Sequence, residues 1–190
     1  MKFDEERLIQ IAKPYIKKGR AGDWEHAQAA VEWVKKLGAG RDDLNLLISA
    51  AYIHDIGWSG IGMGKKLDLN GVLEFGPQAN KNSQALVSKV LSSLDFSGSE
   101  IETANRLVAA ADKHYAEKED EAIIVDADNL SKLTMEQLRE KYEPKEFLKL
   151  IDRWEAEMPK RIKTEIGKNT YPKALKDLRE QINKNANEKI

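Results

Sequence analysis

Apolar residues in the first part of the chain recur with the period of an α-helix. The segment from Asp4 to Lys18 places its apolar side chains at helical spacing, with Pro14 as a kink or an interruption. After a glycine-containing turn, Asp23 is suited to cap a second helix that stops at the glycine-rich stretch 38–40. His26 falls in the first turn of this second predicted helix.

A third helix is predicted to lie at the centre of a bundle. Asp42 or Asp43 can open it, and residues 44–53 are apolar on nearly every side, as expected of a helix that is buried all round. His54 and Asp55 follow at the end of this run, shortly before a glycine. Two ionisable groups therefore stand where the pattern predicts burial.

The middle of the chain contains one segment without periodicity, followed by further helices. Six glycines lie between Gly57 and Pro77, and we interpret this segment as a long loop or insertion, of a kind that often borders active sites. Helical periodicity resumes over residues 78–94 and 99–114. The β-branched run 122–130 is predicted to be helical, because the chain offers no companion strand.

The tail of the chain is also predicted to be helical. From Thr134 onward charged and apolar positions alternate, and three prolines are typical of helix starts or breaks, namely Pro144, Pro159 and Pro172. We therefore predict an all-α fold, a bundle of about eight or nine helices with no substantial sheet. In this prediction residues 1–135 form the main domain, and residues 136–190 are C-terminal helices packed on the same domain.

Composition excludes several classes of protein. The 190 residues fit one domain, and 31 basic against 32 acidic residues give a net charge of -1, which provides no general attraction to nucleic acid or to an anionic membrane. No apolar run approaches the ~18 residues of a membrane span, and the N-terminal sequence lacks the pattern of a secretory signal. We therefore expect a cytoplasmic protein that has neither a membrane nor a nucleic acid as its partner.

The residues available for metal chemistry are few. The chain has no cysteine, so a metal site would rest on imidazole and carboxylate ligands, and its histidines are His26, His54 and His114. A single histidine in a helix is more often a hydrogen-bonded or half-exposed residue than a metal ligand. The pair His54 and Asp55 is harder to explain in that way, because a buried ionised carboxylate needs a cation or a hydrogen-bond network to compensate its lost hydration.

Three short motifs resemble those of one protein family. They are Glu25-His26, then Ala51-Tyr52-Ile53-His54-Asp55-Ile56-Gly57, and then Val125-Asp126-Ala127-Asp128-Asn129-Leu130. In kind, order and spacing they resemble the H, HD and D signatures of the HD domain superfamily, over roughly residues 4–135. The chain is similar to small uncharacterised HD hydrolases of bacteria and archaea. This resemblance implies an HD-domain helical bundle with metal-dependent phosphohydrolase activity.

The resemblance also implies a ligand set for one divalent cation, formed by His26, His54, Asp55 and a later aspartate. Asp126 and Asp128 are both candidates for the fourth ligand. The pattern of alanine, aspartate, any residue and leucine that is common in relatives favours Asp128, which leaves Asp126 as a partner behind the ligands or a structural polar residue. Such a mixed nitrogen and oxygen set suits manganese, iron, cobalt, nickel, zinc or, less comfortably, magnesium.

The implied reaction is hydrolysis of a small phosphate ester or anhydride, with a nucleotide as the expected substrate, by a metal-activated water. Asp55 is a ligand and a candidate acceptor of the proton of that water. His114 is either a catalytic residue that donates a proton or meets the phosphate, or a capping residue at the end of its helix. Candidate substrate contacts are Lys65, Lys66 and Lys113, with Arg20 and Lys132 as further cations.

Two alternatives stay open at the level of the sequence. Trp24 and Trp58 either line the pocket or belong to the core or its rim. The same ligand set would also suit a metal-binding helical protein that senses a ligand or acts as a scaffold without turnover. Turnover that depends on added metal distinguishes the enzyme from this second class.

Overall fold

The computed structural model describes residues 3–187, and this part of the chain is all-helical. It contains α1 (Glu5–Ile16), α2 (Asp23–Leu37), α3 (Leu44–Ile53), α4 (Leu69–Ser92), α5 (Gly98–Lys113), α6 (Glu119–Ser131), α7 (Met135–Lys141), α8 (Phe147–Arg161) and α9 (Glu165–Asn187). Short 3₁₀ helices cover Ile56–Trp58 and Pro144–Glu146, and no strand occurs within residues 3–187. The prediction of an all-α bundle of eight or nine helices is therefore confirmed.

The third helix lies at the centre, as its composition predicts. All side chains of α3 from Leu47 to Ile53 are buried, and the helix packs on α1, α2, α5 and α6. Because each face of α3 meets another helix, no face needs to be polar. The chain leaves α3 at His54, so the His-Asp pair stands where the central helix ends inside the bundle.

The segment 57–77 is not a loop throughout, so this part of the prediction is wrong. α4 begins at Leu69 and continues through Pro77. The side chain of Asp68 caps it by accepting a hydrogen bond from the backbone N–H of Gly71 at 2.8 Å. The first turns of α4 run along the surface, where Leu73 is 57% exposed, so water can satisfy the carbonyl that Pro77 leaves without a partner.

The prolines of the tail behave in two ways. Pro144 begins a 3₁₀ helix as predicted, whereas Pro159 and Pro172 lie inside α8 and α9 and do not break them. α8 buries Leu150, Trp154 and the neighbouring Met158 on one face. Packing of such a face contributes more to helix stability than local propensity does, which explains why the proline signal did not end the helix.

Two groups of buried apolar side chains form the interior. The first comes from α1 to α6, and the second comes from the end of α6 together with the C-terminal helices α7 to α9. Trp33 and Leu37 of α2 pack against both groups, and α6 contacts α8 and α9. The C-terminal helices thus share apolar surface with the rest of the bundle.

Within residues 3–187, no helix has both the length and the apolar character needed to cross a bilayer.

Gly57 allows α4 to approach the turn that follows the His-Asp pair. A Cβ atom added at Gly57 would lie 2.1 Å from the carbonyl oxygen of Ala79 and 2.4 Å from Oγ of Ser83, both in α4. Neither contact is possible without a shift of the helix. Only glycine leaves enough space for α4 at this position. The absence of a side chain at Gly57 therefore allows α4 to lie close to His54 and Asp55.

We expect Gly57→Ala to lower the free energy of unfolding by ~1–3 kcal/mol, because α4 must move to admit the methyl group. Urea unfolding measures this change. Gly98→Ala is the matched control, since a Cβ at the first position of α5 meets nothing within 4 Å. This control should be neutral or slightly stabilising. Equal stability of the two variants would contradict the assigned role of Gly57.

Candidate metal centre

His26, His54 and Asp128 come together in the interior from three different helices. His26 lies in the first turn of α2, His54 ends α3, and Asp128 lies in α6. All three side chains are buried, and each offers one ligand atom within 4.8 Å of the other two. These helices pack directly on one another, so the site forms where the bundle is most tightly enclosed.

The three ligand atoms have the spacing of ligands around one ion. Nε2 of His26 lies 3.1 Å from Nε2 of His54 and 3.0 Å from Oδ1 of Asp128. Nε2 of His54 lies 3.4 Å from the same oxygen. Ligands bound at ~2.1 Å to one ion, in octahedral or tetrahedral geometry, lie ~3.0–3.4 Å apart. The observed separations match this range.

In each imidazole, the hydrogen-bond partner of Nδ1 indicates which ring nitrogen carries the proton and which carries the lone pair. Nδ1 of His54 lies 2.8 Å from the carbonyl oxygen of Ala51, which can only accept, so the proton of the neutral ring is on Nδ1. Nδ1 of His26 lies 3.1 Å from Oγ of Ser131, and that hydroxyl donates to the carbonyl oxygen of Asp128 at 2.9 Å. Ser131 therefore accepts from Nδ1 of His26. Both Nε2 atoms then direct lone pairs toward Asp128.

Three acceptors that face one another in the interior require a positive charge between them. An unsatisfied buried acceptor is costly, and a single proton can bridge only one pair of these atoms. A divalent cation could be bound by all three at once. His26, His54 and Asp128 thus have the donor set and the spacing to hold a metal ion, and their bonds to Ala51 and Ser131 are of the kind that orient metal-binding imidazoles.

Asp55 lies beside this group but is also engaged by two cations. Its Oδ2 is 3.7 Å from Nε2 of His54 and 3.9 Å from Nε2 of His26. The same oxygen accepts hydrogen bonds from Arg20 at 2.6 Å and from Lys141 at 3.2 Å. The structure therefore places the fourth predicted ligand next to the other three, and shares its carboxylate with a pair of positive charges.

Asp23 completes a compact cluster of two cations and two carboxylates. Its Oδ1 lies 3.0 Å from Arg20 and 2.8 Å from Nζ of Lys141, and its side chain is fully buried. Burial opposes ionisation of Asp55, but the charges of Arg20 and Lys141 outweigh burial and hold the pKa of Asp55 well below its usual range. The guanidinium of Arg20 also lies 4.1 Å from the ring centroid of Trp58, which fixes it between the ring and the carboxylates.

The electrostatics of the buried group favour the metal-binding forms of His26 and Asp128, whereas the environment of His54 without a metal favours its protonated form. Burial, reinforced by the charge of Lys141, lowers the pKa of His26 to about 3. Burial opposes ionisation of Asp128, but Lys132 and the neighbouring histidines hold its pKa well below the usual value. For His54, the carboxylates of Asp55 and Asp128 outweigh burial and raise the pKa. A neutral His26 and an ionised Asp128 are ready to act as ligands near neutral pH.

The second oxygen of Asp128 faces Lys132 and His114. Nζ of Lys132 donates to Oδ2 at 2.7 Å, and Nδ1 of His114 lies 3.3 Å from the same oxygen without the alignment of a hydrogen bond. His114 ends α5 with φ 49°, a left-handed conformation that few residues other than glycine adopt. It therefore caps its helix and also lies against Asp128, so the two alternatives drawn from the sequence are compatible.

A cavity of about 390 Å³ opens beside the buried group. His54, Asp55, Asp128 and His114 line it, so the candidate ligands can be reached from outside. Trp58 also lines the cavity, whereas Trp24 is buried in the core and stacks on Tyr52 at 5.7 Å between ring centroids. Cations from distant parts of the chain complete the polar lining, namely Arg20, Lys132, Lys141, Arg153 and Arg161.

The lysines predicted to contact substrate lie elsewhere. Lys65, Lys66 and Lys113 are exposed and are not among the residues that line the cavity. The structure therefore does not bring these three lysines to the cavity, and their contact with a substrate stays a prediction. Arg20 and Lys132, which the sequence offered as further cations, do line the cavity.

Sequence analysis missed the contribution of the C-terminal helices and of one carboxylate. Lys141, Arg153 and Arg161 come from α7 and α8. A signal for Lys141 existed, because it follows the fully buried Leu138 by three positions and so lies on the buried face of α7. Asp112 also lines the cavity, and burial together with the charge of Asp55 raises its pKa to about 7.

Asp126, the other candidate for the last ligand, has a structural role. Its carboxylate accepts hydrogen bonds from the backbone N–H groups of Lys163, at 3.0 Å, and Thr164, at 2.7 Å. These residues lie just before α9. Asp126 therefore anchors the connection between the last two helices, and it faces away from the histidines.

Comparison with known proteins does not name the family. No protein-family model, no curated protein and no solved structure matches this chain. Membership of the HD domain superfamily therefore stays a prediction, which rests on the three sequence motifs and agrees with the convergence of His26, His54 and Asp128.

We expect Asp128→Asn to weaken the binding of manganese or zinc by more than about 100-fold, since even residues behind the ligands contribute roughly 10- to 100-fold. Competition with a chromogenic chelator measures the affinity. Asp126→Asn makes the same change two residues away, and it should keep metal affinity while lowering the free energy of unfolding by ~1–2 kcal/mol. Loss of metal binding in Asp126→Asn alone would reverse the assignment of the two aspartates.

We also expect Lys141→Met to lower the free energy of unfolding by ~3–5 kcal/mol, because it leaves Asp23 and Asp55 with a single buried cation. Chemical denaturation of the metal-free protein measures this loss. Lys145→Met, at an exposed position shortly after α7, serves as the control and should have almost no effect. A loss of similar size in both variants would mean that the buried ion cluster is not the source of the stability.

Proposed function

We propose that this protein is a metal-dependent phosphohydrolase of the HD type that acts on a small phosphate ester or anhydride. One observation carries the proposal: the buried group with the spacing of metal ligands opens into a cavity lined by cations. The same cavity thus offers a place for a metal ion and positive charges for an anionic substrate. A nucleotide is one substrate of this class.

The charge of the cavity supports an anionic substrate. Among the described residues, five cations and three carboxylates line it, the carboxylates being Asp55, Asp112 and Asp128. Outside the lining, Glu157 pairs with Arg153 and Arg161, and Asp23 pairs with Arg20 and Lys141. A bound divalent cation would therefore supply most of the net positive charge. Buried or half-buried guanidinium and ammonium groups bind phosphoryl oxygens through charge-assisted hydrogen bonds, so this lining favours a phosphate over a neutral ligand.

The residues around the cavity can be assigned separate chemical roles in hydrolysis. When bound, a divalent cation lowers the pKa of water and offsets charge on a phosphoryl oxygen. His26, His54, Asp128 and Asp55 would hold this cation. Asp55 suits the role of ligand better than that of base, because the neighbouring cations keep its pKa low and a carboxylate of low pKa is a weak proton acceptor.

Other side chains are placed to bind the phosphoryl group and to move protons. Arg20 and Lys141 lie on the Asp55 side of the buried group, and Lys132 lies on the Asp128 side, so phosphoryl oxygens can be held from two directions. Asp112 and His114 line the same cavity. In the metal-free protein, burial and the charge of Asp55 raise the pKa of Asp112 to about 7, and this carboxyl group is placed where it could give a proton to a leaving oxygen.

The proposal is tested by phosphate release. Metal-stripped protein is resupplied with manganese, magnesium, nickel, cobalt or zinc, and assayed on a panel of nucleotides and simple phosphate esters. We expect at least one metal to restore turnover, and Asp55→Asn to lower kcat/KM by about 100-fold or more, because a group held among the ligands and phosphate-binding cations is lost. Asp95→Asn is the control, since it changes an exposed carboxylate paired only with Arg7.

Two results would count against the enzyme. Metal binding without turnover of any ester or anhydride would favour a metal-binding protein that senses a ligand or acts as a scaffold. Absence of metal binding in the wild-type protein would contradict the metal centre itself. Turnover that persists in Asp55→Asn would remove this residue from the catalytic group.

A further inference from the structure

The cavity beside the candidate metal ligands is also lined by apolar side chains. Leu69, Val72 and Leu73 of α4 line one side of it, and Leu150 and Trp154 of α8 line another side. Neither set of residues touches the metal ligands in any contact described above. The volume of about 390 Å³ falls within the ~300–1,000 Å³ of pockets that bind drug-sized ligands, so the cavity extends beyond a phosphate group.

The apolar side contributed by α4 is one helical face. Leu69, Val72 and Leu73 are spaced by three and four positions, so their side chains lie together on one side of the first two turns. A stripe of this kind normally packs against protein. Here Leu69 and Val72 are only half-buried and Leu73 is 57% exposed, and all three face the cavity.

The apolar side contributed by α8 is rigid. Leu150 and Trp154 are one helical turn apart, and they are 2% and 5% exposed, so their positions are determined by packing within the C-terminal helices. The α4 segment is held beside the same cavity by the close contact of its later turns with Gly57. Both parts of the fold therefore line one space that also contains candidate metal ligands, and α4 contributes more of its exposed apolar surface than α8 does.

Few polar groups beside these apolar side chains could replace water around a hydroxylated molecule. In the described lining, the polar side chains of these two helices are Asn80 of α4 and Arg153 and Arg161 of α8. A sugar or glycerol group would lose hydrogen bonds with water on entering such a space, whereas an apolar group would remove both its own surface and the exposed leucine face from water.

We propose that the substrate is a phosphate ester with an apolar organic group, and that this group is bound between the first two turns of α4 and the Leu150 and Trp154 face of α8. The inference rests on the proposed function for the phosphoryl end of the ligand. It adds a preference among phosphate esters, which the metal centre alone cannot provide, because every ester presents the same phosphoryl group there.

Phosphonates test the preference without turnover, because their carbon–phosphorus bond is not a substrate for ester hydrolysis. The probes are methylphosphonate, 3-hydroxypropylphosphonate and benzylphosphonate, and isothermal titration of the manganese-loaded and the metal-free protein measures their dissociation constants. We expect benzylphosphonate to bind roughly 10- to 100-fold more tightly than either of the others, from the apolar surface that its ring removes from water.

The variant Leu73→Ser tests whether the preference for an apolar group arises at the α4 side of the cavity. This change on an exposed position should reduce the advantage of benzylphosphonate to less than about threefold and leave the affinity for methylphosphonate unchanged. Leu148→Ser is the matched control, because Leu148 is 46% exposed on α8 and is not among the residues that line the cavity. Val72→Ser provides a second variant on the same face of α4.

The outcomes separate this inference from the proposed function. Similar affinity for all three phosphonates, or no binding of any of them, would overturn the inference even if phosphate esters are hydrolysed. An unchanged preference in both Leu73→Ser and Val72→Ser would overturn the assigned location. A preference for benzylphosphonate that Leu73→Ser abolishes supports the inference even if no ester is turned over, in which case the hydrolase proposal fails alone.

Discussion

The meeting of buried lone pairs at the junction of α2, α3 and α6 is the constraint on which the rest of this structure depends. Three acceptor atoms within 3.0 to 3.4 Å of one another repel unless positive charge lies between or around them. Positive charge can be supplied at two places, one between the acceptor atoms and one around them. Next to the acceptors is a position suited to a metal ion, and around them are cations paired with the aspartates.

The surrounding cations explain why the C-terminal helices belong to the site. Lys141 reaches Asp23 and Asp55 from α7, so residues outside the main predicted domain compensate charge within it. Removing hydration from two carboxylates is tolerable only when both are paired and hydrogen-bonded. The tail therefore compensates the charge of carboxylates beside the candidate metal ligands, in addition to covering apolar surface of α2 and α6.

The same charges create a tension between stability and binding. In the metal-free state, Arg20, Lys132 and Lys141 neutralise Asp55 and Asp128. In the proposed function a divalent cation takes over part of that compensation, and the cations become free to meet a phosphate. A single group of side chains thus compensates the buried carboxylates and, in the proposed function, also recognises an anion.

Local patterns in the sequence were enough to predict most of the helices and the residues that converge. Periodicity identified the buried α3, and the motifs pointed to His26, His54 and Asp128, because hydrophobic spacing and motif order are properties of neighbouring residues. Packing decided the rest. Residues two positions apart lie on nearly opposite faces of a helix. Only the neighbours of α6 could therefore show that Asp128 faces the histidines, while Asp126 anchors the connection before α9.

Tertiary structure also decided which cations reach the cavity and where α4 begins. Helical spacing from Leu138 could indicate that Lys141 is buried. Its pairing with Asp55 could not be predicted from the sequence, because it depends on a contact between residues 86 positions apart. Glycine and proline signals suggested a loop across residues 69–77, yet the cap at Asp68 and the approach of α4 to Gly57 produce a helix there. The sequence by itself determined the elements and the chemistry available to them. Long-range packing determined which charges meet, because the energy of a buried charge is set by its neighbours in space.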